Sequence, residues 1–228
     1  MPALHFIGGE KGGVGKSVLS RVLAQYHIDH QLPFLGFDTD RSHPTLSRFY
    51  GDFASPTVID DYRSLDRLAE AVAARPERAV VVDLAAQTFA PLARWLEDSG
   101  VLPALSEAGV TVRYWHVMDD GVDALGLLDR LLDHYGERVS YAVVLNHGRG
   151  SDFSAFHAAP AKARALAHKA AIIELRRLHE GTMRTIDRAN ASFWAAVNQR
   201  GEHALGIFDR QRVKIWLART YADLAPLL

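Results

Sequence analysis

Gly9-Glu10-Lys11-Gly12-Gly13-Val14-Gly15-Lys16-Ser17 follows a largely apolar run at 4–7 and precedes a segment with helical spacing. Glycines here free the backbone to take positive φ and let successive N–H groups close on an anion that a Cβ would hold off. Gly12, Gly13, Val14 and Gly15 therefore read as a phosphate cradle, with Val18 counted in the same site. Lys16 reaches the β- and γ-phosphates, and the Ser17 hydroxyl ligates a Mg²⁺ that bridges them. The helix expected from Lys16 onward aims the positive end of its dipole at the same place. Strand, glycine loop and helix in this order are the setting in which the spacing carries phosphate binding and is more than a surface turn.

Composition narrows the classes. The chain has 228 residues, 48% hydrophobic and 23% charged, with a formal net charge of -1. Those values predict one globular domain over 1–228 and no global drive towards nucleic acid or membrane. With no cysteine, disulfides, thiolate metal sites and cysteine nucleophiles are excluded. No stretch approaches about 18 uninterrupted apolar residues. The start, Met1-Pro2-Ala3-Leu4-His5, lacks a charged segment followed by a long apolar one. A soluble, cytoplasmic protein is expected.

Strand patterns at 4–8, 33–37, 79–83, 110–117, 140–145 and 171–175 alternate with helical ones at 16–29, 60–74, 89–99, 102–107 and 122–135. A short helix at 44–50, loops at 51–60 and 147–152, and closing helices at 182–199 and 207–224 complete the pattern. The alternation predicts a doubly wound α/β fold with a mostly parallel sheet and helices on both faces. His27 and His30 stand one turn apart on the first helix without an acidic or sulfur partner at fixed spacing, so an exposed helix end is expected there.

Carboxylates fall where such a sheet binds ligands, outside the carboxyl ends of its strands. Asp38-Thr39-Asp40 ends the second strand, and Asp83 ends the apolar run at 79–82. Asp83 has the Walker B form, in which the carboxylate holds a Mg²⁺-bound water or the Ser17 hydroxyl. Asp38 and Asp40 read either as part of that chemistry or as caps of the following turn. Gln87 is the nearby amide that could orient a water or cap a helix.

The loop resembles the deviant P-loop, KGGxGK[ST], of the MinD/ParA group of P-loop ATPases, which includes nitrogenase iron protein and the arsenite-pump ATPase. The resemblance implies ATP and Mg²⁺ as ligands, slow hydrolysis and an ATP-dependent homodimer in which Lys11 reaches the partner's ATP. It places Asp38 in the metal shell with Ser17 and Asp83, and Asp40 on the attacking water. Lys11 and Lys16 then neutralise charge in the transition state, and Asn146, at the end of strand 140–145, reads the adenine edge; a turn-forming asparagine is the alternative. The chain departs from the group at Glu10, at Leu84-Ala85-Ala86-Gln87-Thr88 in switch II, and at Arg176-Arg177, where relatives often carry a base-contacting proline. These departures keep a second reading open, a regulatory module that holds ATP or ADP without hydrolysing it.

Over its length the chain resembles TraL-type proteins of conjugative plasmids. The shared features are Asp-Thr-Asp in switch I, a switch II without Pro-Gly followed by Phe89-x-Pro91-Leu92, and the closing Arg210-Gln211-Arg212-Val213-Lys214. This implies a role in conjugation, DNA transfer or partition, together with a partner protein of such a system. The last helices carry Arg184, Arg188, Arg200, Arg210, Arg212, Lys214 and Arg219 against Asp187, Glu202, Asp209 and Asp223. Such a surface either binds DNA nonspecifically or is a solvated helix face. Val213, Trp216, Leu217, Tyr221 and Leu224 form a stripe expected in the core and not in a membrane.

Overall fold

Seven strands, β1 (Ala3–Gly8), β2 (Phe34–Asp38), β3 (Ala54–Pro56), β4 (Ala79–Asp83), β5 (Thr111–Met118), β6 (Ser140–Asn146) and β7 (Ala171–Leu175), form one sheet in the order β3-β2-β4-β1-β5-β6-β7. The computed structural model describes residues 2–75, 77–201 and 204–228. Every pairing is parallel, so the sheet is wholly parallel where a mostly parallel one was expected. β1 lies between β4 and β5. The strand order reverses beside it, and the loop leaving β1 opens into the crevice that this reversal creates.

The helices are α1 (Lys16–Asp29), α2 (Thr45–Phe49), α3 (Tyr62–Ala73), α4 (Phe89–Asp98), α5 (Val101–Glu107), α6 (Val122–Tyr135), α7 (Ser154–Ala158), α8 (Pro160–Ala167), α9 (Glu180–Arg188), α10 (Phe193–Asn198) and α11 (Ile207–Leu224). β1 is buried along its whole length because helices cover both faces of the sheet. Leu4 and Phe6 pack into one layer with α3 to α6, and Ile7 packs into the other with α1, α2 and α11. Val213, Trp216, Leu217 and Leu224 of α11 are buried in that second layer, and Tyr221 packs against it. Among the described residues no helix is long and apolar enough to cross a membrane.

The departures from the expected elements have local causes. The loop at 51–60 contains β3, whose Ala54 pairs with Gly36 of β2. This strand sits at the edge and ends at Pro56, which has no N–H to extend a ladder. The helix expected over 182–199 breaks in two. Asn190 takes φ +47, and Ser192 then caps α10 by accepting from the Ala195 N–H. Residues 154–167, given no element by pattern, form α7 and α8, with Pro160 starting the second.

His27 corrects the expectation of an exposed helix end. It is buried, its Nδ1 is 2.8 Å from the Leu23 carbonyl, and its ring lies 5.2 Å from that of Phe34. His30 stacks on Tyr26 at 4.0 Å, and Tyr221 of α11 packs edge-on against both. The C-terminal helix therefore covers the end of α1. His5 and His116 are also buried, and burial pushes them down to about 3 and about 4. His5 Nδ1 accepts the Trp115 indole N–H at 3.1 Å, which requires the neutral ring.

Part of the basic charge near the C-terminus is met locally, since Arg212 pairs with Asp209 and Arg184 with Glu180. Glu202, counted in that balance, lies outside the described residues.

Candidate functional site

The loop between β1 and α1 takes positive φ at Gly9, Gly13 and Gly15, and not at Gly12. Gly15 is doubly constrained, with φ +100 and room for a Cβ only 2.0 Å from Asn146 Nδ2. As the N-cap of α1 it supplies no side chain, and the first turn holds no acidic residue. The positive end of α1 is thus left open for an anion. Lys16 is buried and folds back over the loop, donating to Gly9 O at 2.8 Å and Lys11 O at 3.0 Å. Burial lowers its pKa, against the pull of Asp83, Glu10 and Asp40. A buried ammonium resting on carbonyls is well placed to exchange them for phosphate oxygens.

Asp38 and Asp83 end neighbouring strands and are partners in the ladder. Their surroundings differ. Asp38 Oδ1 accepts from the Asp40 N–H at 3.0 Å, and Oδ2 accepts from Ser47 N–H at 3.1 Å. It organises switch I and the start of α2, and it does not line the cavity beside the loop. Asp38, expected in the metal shell, has its two oxygens on backbone N–H groups of switch I and α2. Asp83 is buried, and neither of its side-chain oxygens has a hydrogen-bond partner among the described residues. Burial and the Asp38 charge push it up to about 7, while the Ser17 and Ser20 hydroxyls facing it pull the other way without closing a bond.

An orphaned carboxylate beside Ser17 and an open helix N-terminus fits a divalent cation. Among the described residues no cluster of three or more His, Cys, Asp or Glu forms a metal cage.

Gly12, Gly13, Gly15, Lys16, Ser17, Val18, Asp40 and Asp83 line one cavity of about 320 Å³. The Val14 side chain is buried in the core behind the loop. Asp40 reaches the cavity, and its Oδ1 also accepts from the N–H groups of Ser42 and His43 at 3.0 and 2.8 Å. Asp40 thus caps the turn while also lining the cavity.

Lys11 points away from the cavity. Its Nζ donates to Asp119 Oδ2 at 2.7 Å in the loop after β5, and that bond raises its pKa. Glu10 Oε1 accepts from the Phe89 N–H at 2.8 Å, so the acid caps the first turn of α4 and sits at its positive end. The same contact ties the phosphate loop to switch II.

Switch II lacks a glycine, yet Gln87 takes φ +61, a conformation glycine adopts freely. A non-glycine residue there costs about 1 kcal/mol, offset in part by the added freedom of a glycine in the unfolded chain. Gln87→Gly is expected to raise the melting temperature by about 1–2 °C, and Gln87→Val to lower it. Calorimetry checks this; a fall for Gln87→Gly would mean that the side chain makes a contact worth more than the strain.

Asn146 stands beside the loop, but its amide is already engaged. Nδ2 donates to Val14 O at 2.7 Å and Oδ1 accepts from the Gly148 N–H at 2.9 Å. One N–H and one lone pair remain for a ligand. Asn146 lines a second cavity of about 320 Å³ with Leu175, Arg176 and Leu178. The two cavities share Val18, Arg149 and Asp187.

Arg21, Arg149 and Asp187 are among the cavity residues that the sequence did not mark for the site. Arg21 was signalled by a charge set among the apolar positions of α1, and Arg149 by its place three residues after Asn146. Asp187 had no local signal.

The fold and the glycine loop resemble those of MinD/ParA-like P-loop proteins. The sequence is similar to Protein TraL of Escherichia coli, 27% identical over an alignment of 249 positions that covers 98% of each chain. A second Escherichia coli TraL is 28% identical over 155 residues, 64% of each chain. Protein MobD of Acidithiobacillus ferrooxidans is 27% identical over 134 residues, 58% of each. No family model matches the chain. The fold is shared with the MinD cell division protein of Aquifex aeolicus, with a TM-score of 0.53 at 13% identity over 97% of each chain. It is shared too with a nucleotide-binding protein from Archaeoglobus fulgidus in complex with ADP, with a TM-score of 0.50 at 13% identity over 82% of this chain and 86% of that one.

Proposed function

We propose that the chain binds Mg-ATP, hydrolyses it slowly and works as a nucleotide-dependent dimer switch in plasmid conjugation, DNA transfer or partition. The observation that carries this reading is the unpaired, buried Asp83 carboxylate beside Ser17 and the glycine loop. The similarity to TraL and MobD supports the cellular setting, and the ADP complex of the Archaeoglobus fulgidus protein supports the ligand class.

In this reading Lys16 leaves the Gly9 and Lys11 carbonyls for phosphate oxygens, and the N–H groups of the loop hold the polyphosphate in line. Ser17 and Asp83 would hold Mg²⁺, which would supply positive charge against the polyphosphate. Asp40 orients the attacking water from the cavity wall. Asp119 keeps Lys11 in its own chain until a second copy offers phosphates in exchange. ATP then favours the dimer only by as much as it binds the dimer better than the monomer.

Light scattering with ADP and with a nonhydrolysable ATP analogue, for wild type and Lys11→Ala, tests the switch. A dimer formed only with the analogue and lost in Lys11→Ala is expected. A monomer in every state, with nucleotide bound, would overturn the switch.

A second reading, a module that holds ATP or ADP without turnover, draws on the Asp40 carboxylate already accepting two backbone N–H groups. Turnover equal in wild type and Asp40→Ala would favour it.

A further inference from the structure

A nucleotide with its phosphates in the loop cavity and its base in the neighbouring cavity carries its sugar through the junction of the two. That junction is formed by Val18, Arg149 and Asp187. Val18 offers no polar side-chain atom, and Arg149 offers only donors. Asp187 is the one side-chain acceptor of the three. We propose that Asp187 accepts a hydrogen bond from a ribose hydroxyl and makes this a site for ribonucleotides over deoxyribonucleotides. The inference rests on the nucleotide-site reading above and adds its sugar specificity.

The carboxylate is held ready for that contact. Arg21 Nη1 donates to Asp187 Oδ1 at 2.7 Å, and the Arg21 side chain is 2% exposed while that of Asp187 is 48% exposed. The guanidinium lies 3.8 Å from the ring centre of Phe49 in α2 and 4.7 Å from that of Phe193 in α10. A planar cation packed between two aromatic faces is fixed in orientation, and it fixes the carboxylate with it. Asp187 therefore turns one oxygen to Arg21 and keeps acceptor capacity on its exposed side.

Arg21 acts through Asp187 as a positioning residue. It sits one helical turn after Ser17 on α1, so a single helix carries the phosphate contacts and the support for the sugar contact. The bond to Asp187 is the one side-chain hydrogen bond that Arg21 makes among the described residues, and its Nε and Nη2 have no partner there.

Hydrogen bonds to an ionised acceptor that stays partly in water discriminate by about tenfold. The test is titration calorimetry of the full chain with ADP, 2′-deoxyADP and 3′-deoxyADP. Wild type is expected to bind ADP about tenfold more tightly than at least one deoxy analogue. In Asp187→Ala the affinities should converge, with ADP weakened and the disfavoured analogue almost unchanged. Asp187→Asn keeps an oxygen for Arg21 and serves if the alanine variant does not fold; it should shrink the ratio. Equal wild-type affinities for all three ligands, or a preference that survives in the variants, would overturn the proposal. No binding of ADP to wild type would overturn the nucleotide site and this inference together.

Discussion

Lys16→Ala is expected to weaken ADP binding by about 100-fold while leaving the melting temperature of the free protein within about 2 °C of wild type. The two halves of that result have different origins. In the free protein Lys16 is a buried cation resting on two carbonyls, and burial disfavours its charge. Removing it gives up two hydrogen bonds and also relieves a desolvation cost, so the net change in stability is small. In the complex the same ammonium faces polyphosphate inside the loop. Charge-assisted bonds of that kind contribute about 1.5–3 kcal/mol each, and the loss of one or two accounts for the weakening. Titration calorimetry with ADP and a thermal melt of each protein measure the two halves. Binding within about threefold of wild type would mean that phosphates do not enter the loop.

The local parts of this site were legible in the sequence. β1, the glycine loop and α1 are contiguous, so composition and spacing alone placed α1 from Lys16 to Asp29 as observed. Asp83 was legible because four apolar residues in a row announce a buried strand and the charge marks its exit. What was not legible joins distant parts of the chain. Lys11 meets Asp119 across 108 residues, and Arg21 meets Asp187 across 166. No periodicity records such pairs. The caps were hidden for a related reason: Glu10 stood out only as a departure from the group's loop, whereas its carboxylate bonds to the first N–H of α4. The φ of +61 at Gln87 likewise shows that this switch II does with strain what glycine does freely.

Asn146 is where the sequence reading and the bonds diverge most, and its truncation separates two roles. As a base reader, Asn146 would affect ADP and leave a ligand without a base untouched. As a tether, it would affect any ligand of the loop, because its buried amide holds the Val14 carbonyl at 2.7 Å and the Gly148 N–H at 2.9 Å. The tether is expected to dominate. Asn146→Ala leaves one carbonyl and one N–H without their partner, at a cost of about 1–3 kcal/mol each. A total near 3 kcal/mol lowers the melting temperature by about 6–12 °C in a chain of this size. The peptide between Val14 and Gly15 is freed at the same time, so the loop must be ordered again when phosphate enters. Inorganic pyrophosphate and ADP should therefore both bind about tenfold more weakly to Asn146→Ala than to wild type. Unchanged pyrophosphate binding with weakened ADP would instead put Asn146 on the base and defeat the tether, because the remaining N–H and lone pair would then carry the recognition.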